Sequence, residues 1–218
     1  VKQNDGYVGW IHSFYIISSI IYNENKALHN DENWYWVKDK FCEAVLEDNS
    51  KMLISFGSLV PYIKDQKHSF MLLPNGDKAK LNKKSLLSYL ENHLLENIIT
   101  YSKTLIGIPY LWGGKSSYGY DCSGLIQNIY KINGYNFPRD CSIQIKSDLI
   151  KEISKDKIKK GDLVYFIDHD IISHVGIFIN NKQYIHSSGQ VKINSIYKND
   201  DDFNDKLYNM IHGFYSIK

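Results

Sequence analysis

The sequence predicts an α+β protein, with a small all-β module ahead of its main domain. Three observations carry that reading. Cys122 opens an apolar stretch in which Leu125, Ile126, Ile129 and Tyr130 recur at helical spacing. His174-Val175-Gly176-Ile177-Phe178-Ile179 and Gln183-Tyr184-Ile185-His186-Ser187 read as two strands joined by a turn at Asn180-Asn181. Between Trp34 and Lys84, short β-type runs alternate with turn residues.

In chain order, Asp5-Gly6 is a turn signal, and the aromatic and aliphatic residues of Tyr7-Val8-Gly9-Trp10-Ile11 after it suit a hairpin. Phe41-Cys42-Glu43-Ala44-Val45, Ser58-Leu59-Val60-Pro61-Tyr62 and Ser69-Phe70-Met71-Leu72-Leu73 are strand candidates. Turns at Asp48-Asn49 and Asn75-Gly76-Asp77 divide them. Leu86, Leu87, Leu90, Leu94, Leu95, Ile98 and Ile99 have the spacing of one amphipathic helix, which leads toward Gly107-Ile108-Pro109. Tyr110-Leu111-Trp112-Gly113-Gly114 is a glycine-rich, aromatic approach to the Cys122 helix, and Asp168-His169-Asp170 is a turn before a strand that His174 begins. The expected divisions are 1–32, an incomplete β segment; 33–84, a small barrel; and 85–218, the main domain.

The chemistry-bearing residues cluster in that last part. A thiol at a helix N-terminus faces unpaired N–H groups and the positive end of the helix dipole, which favours its thiolate. Most single cysteines are small buried apolar residues, and Cys42, beside Phe41, is read that way. Cys122 differs. An interior thiol needs neither Asp121 before it, nor Ser123-Gly124 after it, nor the glycines upstream. A histidine on a strand that meets the helix start can take the thiol proton, so His174 is the candidate base. His186, one hairpin away, can orient that imidazole as the third member of a triad does. The three cysteines allow at most one disulfide, and the odd count leaves a thiol over.

On these residues the chain resembles the NlpC family of bacterial cell-wall cysteine peptidases. The matching motifs are Tyr110-Leu111-Trp112-Gly113-Gly114, Asp121-Cys122-Ser123-Gly124, Phe137-Pro138-Arg139-Asp140, Gly161-Asp162-Leu163, His174-Val175-Gly176-Ile177 and the strand bearing His186. They span roughly residues 95 to 217 in the family's order. The resemblance implies a papain-like core, in which the nucleophile opens a helix packed on an antiparallel sheet that carries both histidines. It makes Cys122 the nucleophile, His174 the base and later the acid, and His186 the orienting residue. Tyr110 becomes a donor to the oxyanion; Asp121 and Ser123 become substrate contacts beside the nucleophile; Arg139 and Asp140 fall in the substrate groove. The family usually has Ser where this chain has Cys141, and a thiol is a weaker donor than a hydroxyl. The N-terminal segments resemble the SH3-like modules that precede many such domains. Residues 1–22 are too few for a barrel of their own, so either earlier strands are missing or the segment packs against the residues after it.

Remaining candidates have plainer readings. Trp112 is expected to pack as a wall of the cleft ahead of touching substrate. His12, His29, His68, His93, His169 and His212 are read as surface or packing residues, and no ligand spacing completes a metal site around His169. Lys and Arg number 26 and Asp and Glu 24, a net of +2, which gives no electrostatic case for nucleic acid. No apolar run approaches the roughly 20 residues needed to span a bilayer. The best, Phe14 to Tyr22, is short and contains serines.

The resemblance implies hydrolysis of the γ-D-glutamyl bond to a diamino acid in peptidoglycan stem peptides, with no metal or organic cofactor. The substrate partner is then a peptidoglycan-derived peptide, and the two SH3-like segments favour free L-Ala-γ-D-Glu-diamino acid peptides met in wall recycling. In that case an acidic side chain of the N-terminal module is expected to pair with the peptide's free amine, with Asp5 a candidate by its place at a turn. Recycling favours the bacterial cytoplasm. The start at Val1 fits a processed or truncated chain and leaves periplasmic and extracellular placements open. Two alternatives stand beside this reading: a thiol acyltransferase or amidase on the same core, and a non-catalytic cell-wall binding module. The identity of the diamino acid, diaminopimelate or lysine, and the oligomeric state stay open.

Overall fold

The computed structural model of the chain describes residues 1–3, 5–16, 24–64, 68–90 and 95–218. It divides into two compact units, one of Val1–Gln3 with Val8–Asn92 and one of Asn4–Tyr7 with His93–Lys218.

The first unit is all-β. Its strands are β1 (Trp34–Val37), β2 (Phe41–Leu46), β3 (Lys51–Ser55), β4 (Leu59–Lys64), β5 (Ser69–Leu72), β6 (Lys78–Leu81) and β7 (Leu86–Ser88), antiparallel in the order β3-β2-β6-β5-β4-β1-β7. Asn49 turns between β2 and β3 at φ 66°, a left-handed conformation that asparagine tolerates. Alternation along β2 sends Cys42 and Ala44 inward to a core shared with Val37, Ile54, Val60, Met71, Ala79 and Leu86. Cys42 is therefore a core residue, as its setting beside Phe41 suggested.

Two expectations fail here. Leu86 and Leu87 do not begin a helix: β7 pairs with β1, placing Leu86 opposite Val37, and the helix described farther on runs Leu95–Thr104. A short leucine-rich run fits either period, and the open edge of β1 decides it. Residues 7–11 form no strand either. Val8 makes one bridge, to Lys2, flanked by Val1 and Gly9 exchanging backbone hydrogen bonds. Leu94, His93 and most of the apolar run from Phe14 to Tyr22 lie outside the described residues.

The second unit holds helices α1 (Leu95–Thr104), α2 (Cys122–Lys131), α3 (Cys141–Gln144) and α4 (Asp205–Asn209). A ribbon, β8 (Lys115–Ser116) with β9 (Gly119–Tyr120), precedes α2. The main sheet is antiparallel, with β10 (Ile150–Ile153), β11 (Leu163–Asp168), β12 (Ile171–Phe178), β13 (Gln183–Ser188), β14 (Gln190–Ser195) and β15 (Ile211–Ile217) in the order β10-β15-β11-β12-β13-β14. Every residue of α2 from Cys122 to Tyr130 is buried, as a helix at the centre of a domain must be. It packs on β12 and β13, and the Tyr130 hydroxyl donates to the Gly161 carbonyl at 2.5 Å.

The expected turn at Asp168-His169-Asp170 is present, with His169 and Asp170 at φ 46° and 62°. It is tighter than the sequence suggested, so β12 starts at Ile171 and His174 sits inside the strand rather than at its start. Phe166 opposes His174 while Ile167 opposes Ile172, which leaves Ser173 as the extra residue of a β-bulge immediately before His174.

Gly176 shows how closely the sheet is packed behind the histidines. A Cβ there would lie 2.7 Å from the Tyr184 ring and 3.4 Å from the His186 Cβ. Gly176→Ala is expected to cost about 1–3 kcal/mol of unfolding free energy, the usual penalty for overpacking, read from the midpoint shift in urea denaturation.

Candidate active site

The site is assembled by the first turn of α2, the loop before it, α3, and strands β12 to β14. Asp121 is the N-cap of α2, with extended backbone at ψ 177° and a carboxylate that accepts from Gly124 N–H at 2.7 Å. The same carboxylate accepts from Gly113 N–H at 3.0 Å and receives both arms of Arg139, Nη1 to Oδ1 at 3.0 Å and Nη2 to Oδ2 at 2.5 Å. Arg139 Nη1 also donates to the Ser123 hydroxyl at 2.9 Å. The two charged side chains are 11% and 10% exposed, so this is a buried, bidentate pair. Gly124 permits the loop to close on the helix: a Cβ there would stand 2.3 Å from the Gly114 carbonyl oxygen. Asp121, Ser123 and Arg139, expected to face substrate, are thus bound to one another. Ser123 and Asp121 are buried, and their polar atoms serve the helix start.

Strand β13 is tied to the same place. Ser187 donates to the Tyr120 carbonyl at 2.7 Å, and Tyr110 N–H donates to the Gly189 carbonyl at 2.9 Å. Tyr110 is half-buried, and its phenol pKa is raised by burial first and then by the nearby Cys122 and Asp121.

The histidines form a chain of short hydrogen bonds whose direction can be deduced. The amide of Asn194, on β14, donates through Nδ2 to the Asp202 carbonyl at 2.5 Å, which fixes its oxygen toward His186. Asn194 Oδ1 lies 2.7 Å from His186 Nε2, so that nitrogen carries the proton. His186 Nδ1 is then the acceptor for His174 Nε2, also at 2.7 Å. His174 is left with its proton on Nε2 and a lone pair on Nδ1. His186 is fully buried. Burial, with help from His186 and Lys192, lowers the His174 pKa to about 3. Burial lowers that of His186 to about 4, with Lys192 adding to it and Asn194 opposing. Both rings are neutral at neutral pH.

Cys122 is the first residue of α2 and buried. Its thiol donates to the carbonyl of Ser173, the bulged neighbour of His174, at 3.8 Å. Helix position alone predicts a thiolate, but the structure opposes one. The neighbouring Cys141 raises the thiol pKa most, followed by burial and the charge of Asp121, and the Ser123 N–H pulls it down. The pKa of Cys141 itself is lowered by Cys122 against the effect of burial. Its thiol donates to the Ile172 carbonyl at 3.1 Å. Asp140 is half-buried and precedes α3 without a side-chain cap bond.

One expectation is corrected in this region. Trp112 is 87% exposed, not packed. Its loop is held by backbone bonds, Leu111 N–H to the Tyr120 carbonyl and Gly114 N–H to the Leu111 carbonyl, and needs no indole for support. Asp5 accepts from Lys115 Nζ at 3.3 Å, Gln127 Nε2 at 3.1 Å and Tyr7 N–H at 3.0 Å, so its carboxylate already holds an ammonium group. Two contributors escaped the sequence. Asn194 falls on the strand beside His186, and only the pairing of β13 with β14 brings them together. Gln144 joins α3 to α2, donating to the Ser123 and Pro138 carbonyls. Among the described residues no cluster of His, Cys, Asp and Glu could hold a metal ion, and no helix is long and apolar enough to cross a membrane.

Comparison with known proteins places this geometry. The NlpC/P60 family matches residues 107–207. A γ-D-glutamyl-L-lysine dipeptidyl-peptidase of Bacillus cereus (strain ATCC 10987 / NRS 248) is 29% identical over 199 residues, covering 85% of this chain and 58% of the relative. A protein of the same name from Bacillus subtilis (strain 168) is 28% identical over 190 residues, covering 85% of this chain and 62% of the relative. The chain therefore spans less than two thirds of those relatives' length. The crystal structure of an NlpC/P60 family protein from Bacillus cereus ATCC 10987 superposes with a TM-score of 0.74 at 24% identity, over 88% of this chain and 65% of that one. That likeness shows the α+β, papain-like fold.

Two stability measurements test the electrostatics. Because both histidine pKa values are lowered from 6.5, the unfolded chain binds protons that the folded one refuses between pH 6.5 and about 4. Their contribution is complete above pH 6.5 and is lost as pH falls toward 4, at about 1.4 kcal/mol per unit for each ring. Replacing both with Gln should flatten that part of a stability-versus-pH curve. Asp121→Asn keeps a capping oxygen but strands Arg139, and should cost about 3–5 kcal/mol in chemical denaturation.

Proposed function

We propose that this chain, which carries an NlpC/P60 family domain over residues 107–207, is a cysteine peptidase that cuts the γ-D-glutamyl bond to the diamino acid of peptidoglycan stem peptides. The observation that carries the reading is the neutral relay beside a helix-borne thiol. His174 presents an unprotonated Nδ1, fixed by 2.7 Å bonds through His186 to Asn194, while the Cys122 thiol bonds to the adjacent Ser173 carbonyl.

In this reading the resting pair is thiol and imidazole, and the proton moves from Cys122 to His174 Nδ1 as sulfur attacks the γ-carbonyl carbon of D-glutamate. The Tyr110 hydroxyl and N–H groups at the start of α2 stabilise the oxyanion. His174 then protonates the departing amine, leaving a thioester. Water, activated by the same ring, releases the L-Ala-γ-D-Glu product. The imidazolium that forms in each half-reaction is held by His186, whose own bond to Asn194 keeps the acceptor nitrogen turned toward His174. Trp112, exposed on the loop between Tyr110 and the Asp121 cap, is an apolar face available to the peptide. The all-β unit is read as an SH3-like module, and the names of the relatives favour a free peptide amine in the substrate. Asp5, which also accepts from Lys115, is the candidate acid for that amine.

Incubating L-Ala-γ-D-Glu-L-Lys, its meso-diaminopimelate counterpart and N-acetylated copies with the protein, followed by mass spectrometry, tests the reading. Release of L-Ala-γ-D-Glu from the free peptides only supports a dipeptidyl-peptidase, and release from both sets supports a wall hydrolase with an open groove. Cys122→Ala should lower the rate by several orders of magnitude, as removal of a nucleophile does. Hydrolysis of neither set, or unchanged hydrolysis by that variant, would overturn the proposal in favour of an acyltransferase or a binding module.

A further inference from the structure

A second thiol stands against the first, and nothing in the hydrolytic reading uses it. Cys141 opens α3 and is the largest single influence on the pKa of Cys122. Both sulfurs are anchored on the bulged segment of β12, Cys122 on the Ser173 carbonyl and Cys141 on the Ile172 carbonyl next to it. Cys141 is half-buried, which opens the pair to a small reagent, whereas the third cysteine, Cys42, is sealed in the core of the other unit. The Tyr165 hydroxyl is buried with no hydrogen-bond partner among the described residues, and it lies near enough for charge on Cys141 to contribute to the rise in its pKa, after burial.

We propose that Cys122 and Cys141 form a two-electron oxidation site for hydrogen peroxide, closing into a disulfide that blocks the hydrolytic thiol and protects it from further oxidation. The ionised sulfur of the pair attacks one peroxide oxygen, the O–O bond breaks, and the hydroxide released takes a proton to leave as water. The product is a sulfenic acid. The second sulfur, losing its proton, attacks the sulfenyl sulfur; the S–O bond breaks, hydroxide leaves and is protonated, and the S–S bond forms. Each sulfur gives up one electron and the peroxide becomes two waters. An external dithiol reverses the step by exchange. A serine at position 141, the usual residue of the family this chain resembles, would leave a Cys122 sulfenic acid open to sulfinic and sulfonic acids.

The test is a peptide map. The protein is treated with a small excess of hydrogen peroxide, free thiols are alkylated, and the digest is read by mass spectrometry. The expected product is a peptide linking Cys122 to Cys141 that dithiothreitol removes, restoring alkylation of Cys122. In Cys141→Ser the link is absent and Cys122 accumulates as sulfinic or sulfonic acid. The unsubstituted chain decides the matter whether or not that variant folds. Oxidised protein in which Cys122 stays alkylatable, or becomes sulfinic acid without a link to Cys141, would overturn the proposal. Because the readout is covalent, a link formed by a protein that hydrolyses no stem peptide would sink the peptidase reading alone. Hydrolysis without a link would sink only the redox site.

Discussion

Asp121 satisfies three separate needs of the second unit with one carboxylate. It caps α2 through Gly124 N–H, holds the preceding loop through Gly113 N–H and receives the fork of Arg139 from the segment leading into α3. Each partner alone would be worth little. A buried ion pair is weak support for stability, but it is costly to break on one side, so it penalises every arrangement in which the loop, the helix start and the α3 segment are apart. The position of the Cys122 sulfur derives from that constraint, because the residue after a helix cap has little backbone freedom left.

The second constraint is dryness. His174 and His186 are held in a relay that ends at a backbone carbonyl and contains no carboxylate. With no anion to compensate for desolvation, burial keeps both rings neutral, while Cys141 first and burial second keep the Cys122 thiol protonated. The resting site is therefore uncharged at its centre. In the proposed mechanism charge appears when proton transfer accompanies attack, and the groups that would meet it, Asn194 behind the histidines and the N–H groups of α2 before the sulfur, are already oriented.

The bulge at Ser173 links the two features. It sets His174 on β12 and turns two successive carbonyls, those of Ile172 and Ser173, to the two thiols. Gly176 then lets the Tyr184 ring and His186 pack against the same strand. Strand irregularity and small residues thus do for His174 what the Asp121 cap does for Cys122.

Much of this was legible in the chain. The helix after Cys122, the hairpin carrying His174 and His186 and the turn before β12 come from apolar period and turn residues, which are local properties. Cys42 could be recognised as a core residue from its neighbours. What the sequence could not supply was who meets whom. Leu86 and Leu87 fit a helix until the edge of β1 claims them as a strand. Asp121 and Arg139, 18 residues apart, carry no local sign that the fold joins them in one ion pair. Trp112 looks like a packed wall until its loop is seen to hold by backbone alone. Asn194 carries no sequence signal at all, since an amide on a strand is ordinary and acquires its role only when β14 lies beside β13. Residue types and spacing determined which chemistry the chain carries. Tertiary structure decided the protonation states and partners, because those depend on burial and on contacts between residues distant in sequence, which no local pattern encodes.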